Sequence, residues 1–174
     1  GGETTVTAKE YTFADVTATG GYQNTATVSD AGALSISYEA QYAEKQYSLP
    51  AGIDVTTITK IELGVTEGTA TNLAVKLLVD GTSAQVNYDS FIDVTTDLSA
   101  ATSVGIGIMN NATEAADYKI SYIKITAVQT GGSDTEPGSG TGGGEATVTA
   151  KYYTFADVTA TGGYQNTATV SDAG

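Results

Sequence analysis

Between Thr5 and Val128 apolar side chains return at every second position. A chain with that period buries one face of an extended strand and leaves the other in water. Leu34, Ile36, Tyr38, Ala40 and Tyr42 alternate with Ser35, Ser37, Glu39 and Gln41. Ile61-Leu63-Val65, Leu73-Val75-Leu77-Val79 and Val104-Ile106-Ile108 repeat the pattern. Thr, Val, Ile and Tyr fill these runs, and such side chains suit a pleated, half-buried surface. Turn residues separate them at Gly20-Gly21, Pro50-Ala51-Gly52, Asp80-Gly81 and Asn110-Asn111. Asp80-Gly81 lies between two alternating runs and predicts a hairpin. The pattern gives roughly nine or ten strands and no helix. Separate hairpins would bury too little to be stable, so the expected fold is all-β: a two-sheet antiparallel β-sandwich.

The alternation slips twice. Tyr42 keeps the even phase, whereas Tyr47 and Leu49 are odd, so the phase changes within Ala43–Gln46. Tyr118-Ile120-Tyr122 then passes to Ile123-Ile125-Ala127 by one residue. A slip of one residue turns every later side chain to the other face unless a bulge absorbs it.

The chain also repeats itself. Residues 1–32 return as 143–174 with two differences, Thr4/Ala146 and Glu10/Tyr152. Between the copies runs a Gly-rich stretch, QTGGSDTEPGSGTGGGE, with few side chains to pack. The expected organisation is a sandwich repeat over 1–128, a linker over 129–146, and over 147–174 the first strands of a next repeat. Those strands cannot bury a core alone. Two arrangements are open: the folded unit is 5–128, or it is 33–128 completed by 147–174 through donor-strand complementation.

Composition removes most chemistry. There is no Cys, His or Trp, and all seven basic residues are Lys. Thiolate chemistry, Cys-ligated metals and every histidine-based triad are therefore excluded. Twenty acids against seven Lys give a net charge of −13, which disfavours nucleic acid and anionic membrane surfaces. No apolar run approaches the ~18 residues of a membrane span. The acids are scattered rather than paired across a cleft, as a glycosidase would need, so no enzyme is expected. Thirty Thr and few Lys point to a secreted or cell-surface protein.

Three stretches, YTFADVTATGGYQN (Tyr11–Asn24), LSISYEAQYAEKQYSLPAG (Leu34–Gly52) and ADYKISYIKITAV (Ala116–Val128), with KLLVDG (Lys76–Gly81), carry a family likeness. Together they resemble the jelly-roll carbohydrate-binding modules appended to bacterial xylanases and related plant-wall enzymes. The resemblance implies a non-catalytic sandwich with one face for a glycan, and a calcium ion tying the first strand to the last. Glu10, Asp15 and Asp117 lie where it would place that ion, and hard oxygen ligands suit calcium. Tyr42 and Tyr47 flank the first phase break, where a ring can be aimed outward at a sugar. Tyr38 and Tyr88 share the phase of core residues and are expected inside. Glu39, Gln41, Gln85 and Asn87 occupy the other phase and are the polar types that bond sugar hydroxyls. Asn111-Ala112-Thr113 is a glycosylation sequon on a turn.

The partial second copy weighs toward a structural reading: a tandem-repeat filament or cell-surface fibre whose partners are neighbouring copies of the repeat, with strand exchange between repeats as one way to build it. The alternative is a tandem carbohydrate-binding module of a secreted polysaccharide-degrading enzyme, with a neutral polysaccharide as partner.

Overall fold

The computed structural model describes residues 3–130 and, as a short strand, 148–150; the remainder of the linker and of the returning segment lies outside the described residues. The strands are β1 (Thr4–Tyr11), β2 (Thr17–Tyr22), β3 (Asn24–Val28), β4 (Leu34–Tyr38), β5 (Glu44–Ser48) and β6 (Ile58–Glu67). They continue with β7 (Leu73–Val79), β8 (Thr82–Asn87), β9 (Phe91–Asp93), β10 (Val104–Asn110), β11 (Ala116–Thr130) and β12 (Val148–Ala150). Two single 3-10 turns, Val55–Thr57 and Ala70–Asn72, are the helical content among the described residues.

All pairings are antiparallel and form two sheets, as the alternation requires. One has five strands in the order β2-β5-β10-β7-β8. The other is built around the long β11, which pairs with β1, β4 and β6; β3 lies beyond β4, β9 beyond β6, and β12 beyond β1. Leu34, Ile36, Ile61, Leu77, Ile106 and Ile120 fill the space between the sheets, each 2 % exposed or less. Tyr38 belongs to this core, as its phase predicts, and its hydroxyl donates to the carbonyl oxygen of Ile108 at 2.6 Å. Tyr118 lies edge-on to it and donates to Asn110 Oδ1 at 2.9 Å. Asn110 itself is buried and saturated, donating to the carbonyls of Ala40 and Glu114 and accepting from Ala112 N–H.

Each expected irregularity has its own cause. The slip within 43–46 is a crossing between sheets: β4 lies in one and β5 in the other, with Tyr42 at φ 67° in the corner. The slip near Tyr122 is a bulge, since Ile120 pairs with Val65 but Ile123 with Leu63, leaving one extra residue on β11. Asp80 and Gly81 close the β7–β8 hairpin with φ of 49° and 82°, the sign that a type I′ turn requires at both positions. The Asp80 carboxylate also accepts from the hydroxyls and N–H groups of Thr102 and Ser103, which hold it below the usual carboxylate range.

One expectation about the core is corrected. Tyr88 does not face inward, and neither do Ala84 and Val86, which share its phase. The register sets Leu77 opposite Gln85 and Lys76 opposite Val86, so the polar side chains of β8 point in and the apolar ones out. Gln85 and Asn87 use that inward position to hold the segment at β9. Gln85 donates to Asp93 O and accepts from Thr95 and Thr96, and Asn87 donates to Phe91 O. Saturating the backbone of a bend outweighs burying a valine at an edge.

The slot beside β11 is occupied by the chain's own first segment, in an eight-residue ladder from Thr4↔Thr130 to Tyr11↔Ile123. Val148–Ala150 adds on the outer side of β1. β11 runs to Thr130, so the first two residues of the expected linker belong to the strand.

Candidate functional site

The outward face of the five-stranded sheet assembles in rows across the strands. One row reads Tyr22, Glu44, Met109 and Ala74 across β2, β5, β10 and β7. The next reads Gly20, Gln46, Gly107, Lys76 and Val86 and ends on β8. Tyr88 follows Val86 in phase, one residue past the strand. The described chain has five large apolar side chains prominent at the surface, and Tyr22 (52 %), Val86 (36 %) and Tyr88 (60 %) rim this one face. β2 and β8 are four strand spacings apart, about 19 Å.

Between those rims Gly105 and Gly107 leave two of the three outward positions of β10 without a side chain, Met109 being the third. A Cβ on Gly107 would come within 2.5 Å of Glu44 Oε1, and one on Gly20 would stand 3.0 Å from Gln46 Oε1. Glu44 is 1 % exposed although it points away from the core. Its carboxylate is satisfied by Lys76 Nζ, which contacts Oε2, and by Gln46 Nε2, which donates to Oε1 at 2.7 Å. A buried carboxylate is tolerated only when it is paired and hydrogen-bonded in this way. The result is a fixed row of amide, carboxylate and ammonium in a trough with aromatic edges.

At the β2 end the rim is braced. Tyr22 Oη donates to the carbonyl of Tyr42 at 2.8 Å, and Asn24 Nδ2 donates to the carbonyls of Tyr22 and Glu44. Tyr22 therefore keeps its ring in solvent while its hydroxyl is anchored.

The residues singled out from sequence are dispersed. Tyr42 is exposed in the corner next to the Tyr22 rim. Tyr47 is not aimed outward: it is 3 % exposed and packs edge-on against Phe13 at 5.4 Å, and burial pushes its hydroxyl up to about 12. It sits opposite Ile106 on the inward face of β5, because the sheet crossing at Tyr42 resets the phase before Glu44. Glu39 is exposed and Gln41 half-buried in the same corner, with Gln41 Nε2 donating to Asn111 O at 3.3 Å. Gln85 and Asn87 are committed to backbone near β9 and do not share a surface with Glu39 and Gln41.

Glu10, Asp15 and Asp117 are not brought together. Glu10 pairs with Lys124, seven residues along β11 from Asp117, about 23 Å away. Asp15 instead accepts from Thr12 N at 2.8 Å within its own turn. Among the described residues no three acidic side chains converge. Asn111 lies in the bend after β10, with its N–H on Asn72 O. The trough residues Tyr22, Glu44, Gln46 and Lys76 carry no motif; the alternating glycines of Gly105-Ile106-Gly107 were the one available signal.

No family model matches the chain, and no curated protein matches it in sequence. Among solved structures, a low-affinity xylan-binding module, CBM86, from the gut symbiont Roseburia intestinalis superposes with a TM-score of 0.57 at 17 % identity. The match covers 68 % of this chain and 93 % of that one. The chain shares that module's two-sheet sandwich fold. At this identity the likeness concerns the jelly-roll sandwich itself, which the sequence resemblance had implied.

Proposed function

We propose that this chain is a non-catalytic polysaccharide-binding module, and that its ligand lies in the trough of the five-stranded sheet between Tyr22 and Val86–Tyr88. The observation that carries the reading is the single row Gly20, Gln46, Gly107, Lys76 and Val86, with Glu44 beside it and tyrosines at both rims. Sugar rings offer apolar faces to aromatic edges and hydroxyls to fixed polar groups between them. Gln46 and Lys76 supply an acceptor and donors, and the buried Glu44 holds both in place. The net charge of −13 favours a neutral glycan.

Xylan is the first ligand class to test, because the fold likeness is to a xylan-binding module. The same likeness favours this reading over a filament as the primary role. The trough has one carboxylate, Glu44, already paired with Lys76. Glycoside hydrolysis needs two carboxyl groups flanking the bond. An extracellular location, where such polymers are met, is part of the proposal.

Electrophoresis in gels containing soluble xylan, with mannan and β-glucan gels alongside, tests it. Retardation in at least one gel is expected, abolished in a Tyr22→Ala/Tyr88→Ala variant that melts as the wild type does. Unretarded wild-type protein, or full retardation of that variant, would overturn the assignment.

A further inference from the structure

The outer edge of β1 carries a second observation, independent of the trough. β12 pairs there antiparallel, as Val6↔Ala150, Thr7↔Thr149 and Ala8↔Val148. Residues 148–150 are the returning copy of residues 6–8. In copy numbering, position 6 thus faces position 8, 7 faces 7, and 8 faces 6. This is a two-fold-symmetric register centred on Thr7, as expected when a strand pairs with itself.

Two first copies meeting in that register would set Thr4 against Glu10 twice, and positions 4 and 10 are the two at which the otherwise identical copies differ.

We infer that the outer edge of β1 is a homotypic docking site whose occupant is the same strand of a neighbouring repeat, antiparallel and centred on Thr7. An eight-residue strand at the margin of a sheet is a template for pairing. Here it is given a specific partner, so that two sandwiches join edge to edge through a continuous sheet. The first strand stays in its own repeat, which distinguishes this contact from strand exchange.

Disulfide trapping in the full chain tests the register, since the protein has no cysteine of its own. Directly opposed residues have Cα atoms about 4.5–5.5 Å apart, within disulfide reach. Thr7→Cys/Thr149→Cys is expected to oxidise at least tenfold more completely than the off-register Thr4→Cys/Thr149→Cys. A bond within one chain or between two chains reports the same ladder. In parallel, Thr149→Pro disrupts that ladder and is expected to lower amide-exchange protection of the N–H groups within residues 6–8 that face away from β11 at least tenfold without changing the sandwich's melting temperature. Absent or register-independent crosslinking, or unchanged protection in Thr149→Pro, would overturn the inference.

Discussion

Gly107 on β10 has no side chain because the Glu44 carboxylate occupies that space: a Cβ would sit 2.5 Å from Oε1 and 3.3 Å from the Cβ of Lys76. Gly107→Ala is therefore expected to destabilise by about 1–3 kcal/mol, the range for forcing atoms into a filled site. It should also raise the trough floor and weaken glycan retardation. Gly20→Ala should be milder, because its near contact is the end of the Gln46 side chain at 3.0 Å rather than a buried carboxylate at 2.5 Å. Urea midpoints of the two variants give the comparison; equal values would show that Glu44 can move aside at no cost.

Glu44 and Lys76 act as a unit. Lys76→Met leaves the carboxylate buried with Gln46 as its remaining side-chain donor, and an unpaired buried charge costs about 3 kcal/mol. Lys76→Met/Glu44→Leu removes both charges and is expected to recover most of that loss. A double-mutant cycle on unfolding free energies measures the coupling, and additive effects would mean the pair is solvated.

The contrast between β7 and β8 shows which features the sequence makes legible. Leu73, Val75 and Leu77 alternate because one face of β7 meets the core at every second residue, and period is a local property. β8 carries an equally regular alternation with the opposite orientation. Its polar partners, Asp93 O and the N–H groups of Thr95 and Thr96, come from a bend ten residues away. Period reveals that two faces exist; only long-range partners decide which is inside. The trough was hidden for the same reason. Gly20, Gln46, Gly107, Lys76 and Val86 are spread over most of the chain and meet only through the register of five strands. The sandwich, the Asp80-Gly81 hairpin and the Tyr122 bulge needed no such information and were readable.

Gln85 separates a structural amide from a ligand-binding one. It saturates the bend after β9 with bonds to Asp93, Thr95 and Thr96, so Gln85→Ala should cost about 2 kcal/mol in stability. Glycan retardation should be unchanged. Gln46→Ala should behave in the opposite sense, with retardation weakened about fivefold, roughly 1 kcal/mol, at a smaller stability cost. Affinity electrophoresis and thermal melts on both variants test the assignment. A Gln85→Ala variant that melts normally but fails to bind would return the site to the inward face of β8.

Buried tyrosines set the alkaline limit of the fold. Tyr47 is raised from the ordinary 10.0 to about 12 by burial, and Tyr38 and Tyr118 are raised for the same reason, with neighbouring Tyr47, Tyr118 and Glu44 adding to the shift at Tyr38. A folded value above the unfolded one means that the contribution of these hydroxyls to stability is complete below pH 10. It is then lost as pH rises through the folded value, because the unfolded chain releases the protons first. The hydroxyl bonds from Tyr38 to Ile108 O and from Tyr118 to Asn110 Oδ1 are lost in the same step. Stability is therefore expected to be flat up to about pH 10 and to fall steeply toward pH 12, with the core rings ionising together with unfolding. Tyr47→Phe should move the onset of unfolding to higher pH. Ionisation of Tyr38 and Tyr47 near pH 10 with the sandwich intact would contradict their buried placement.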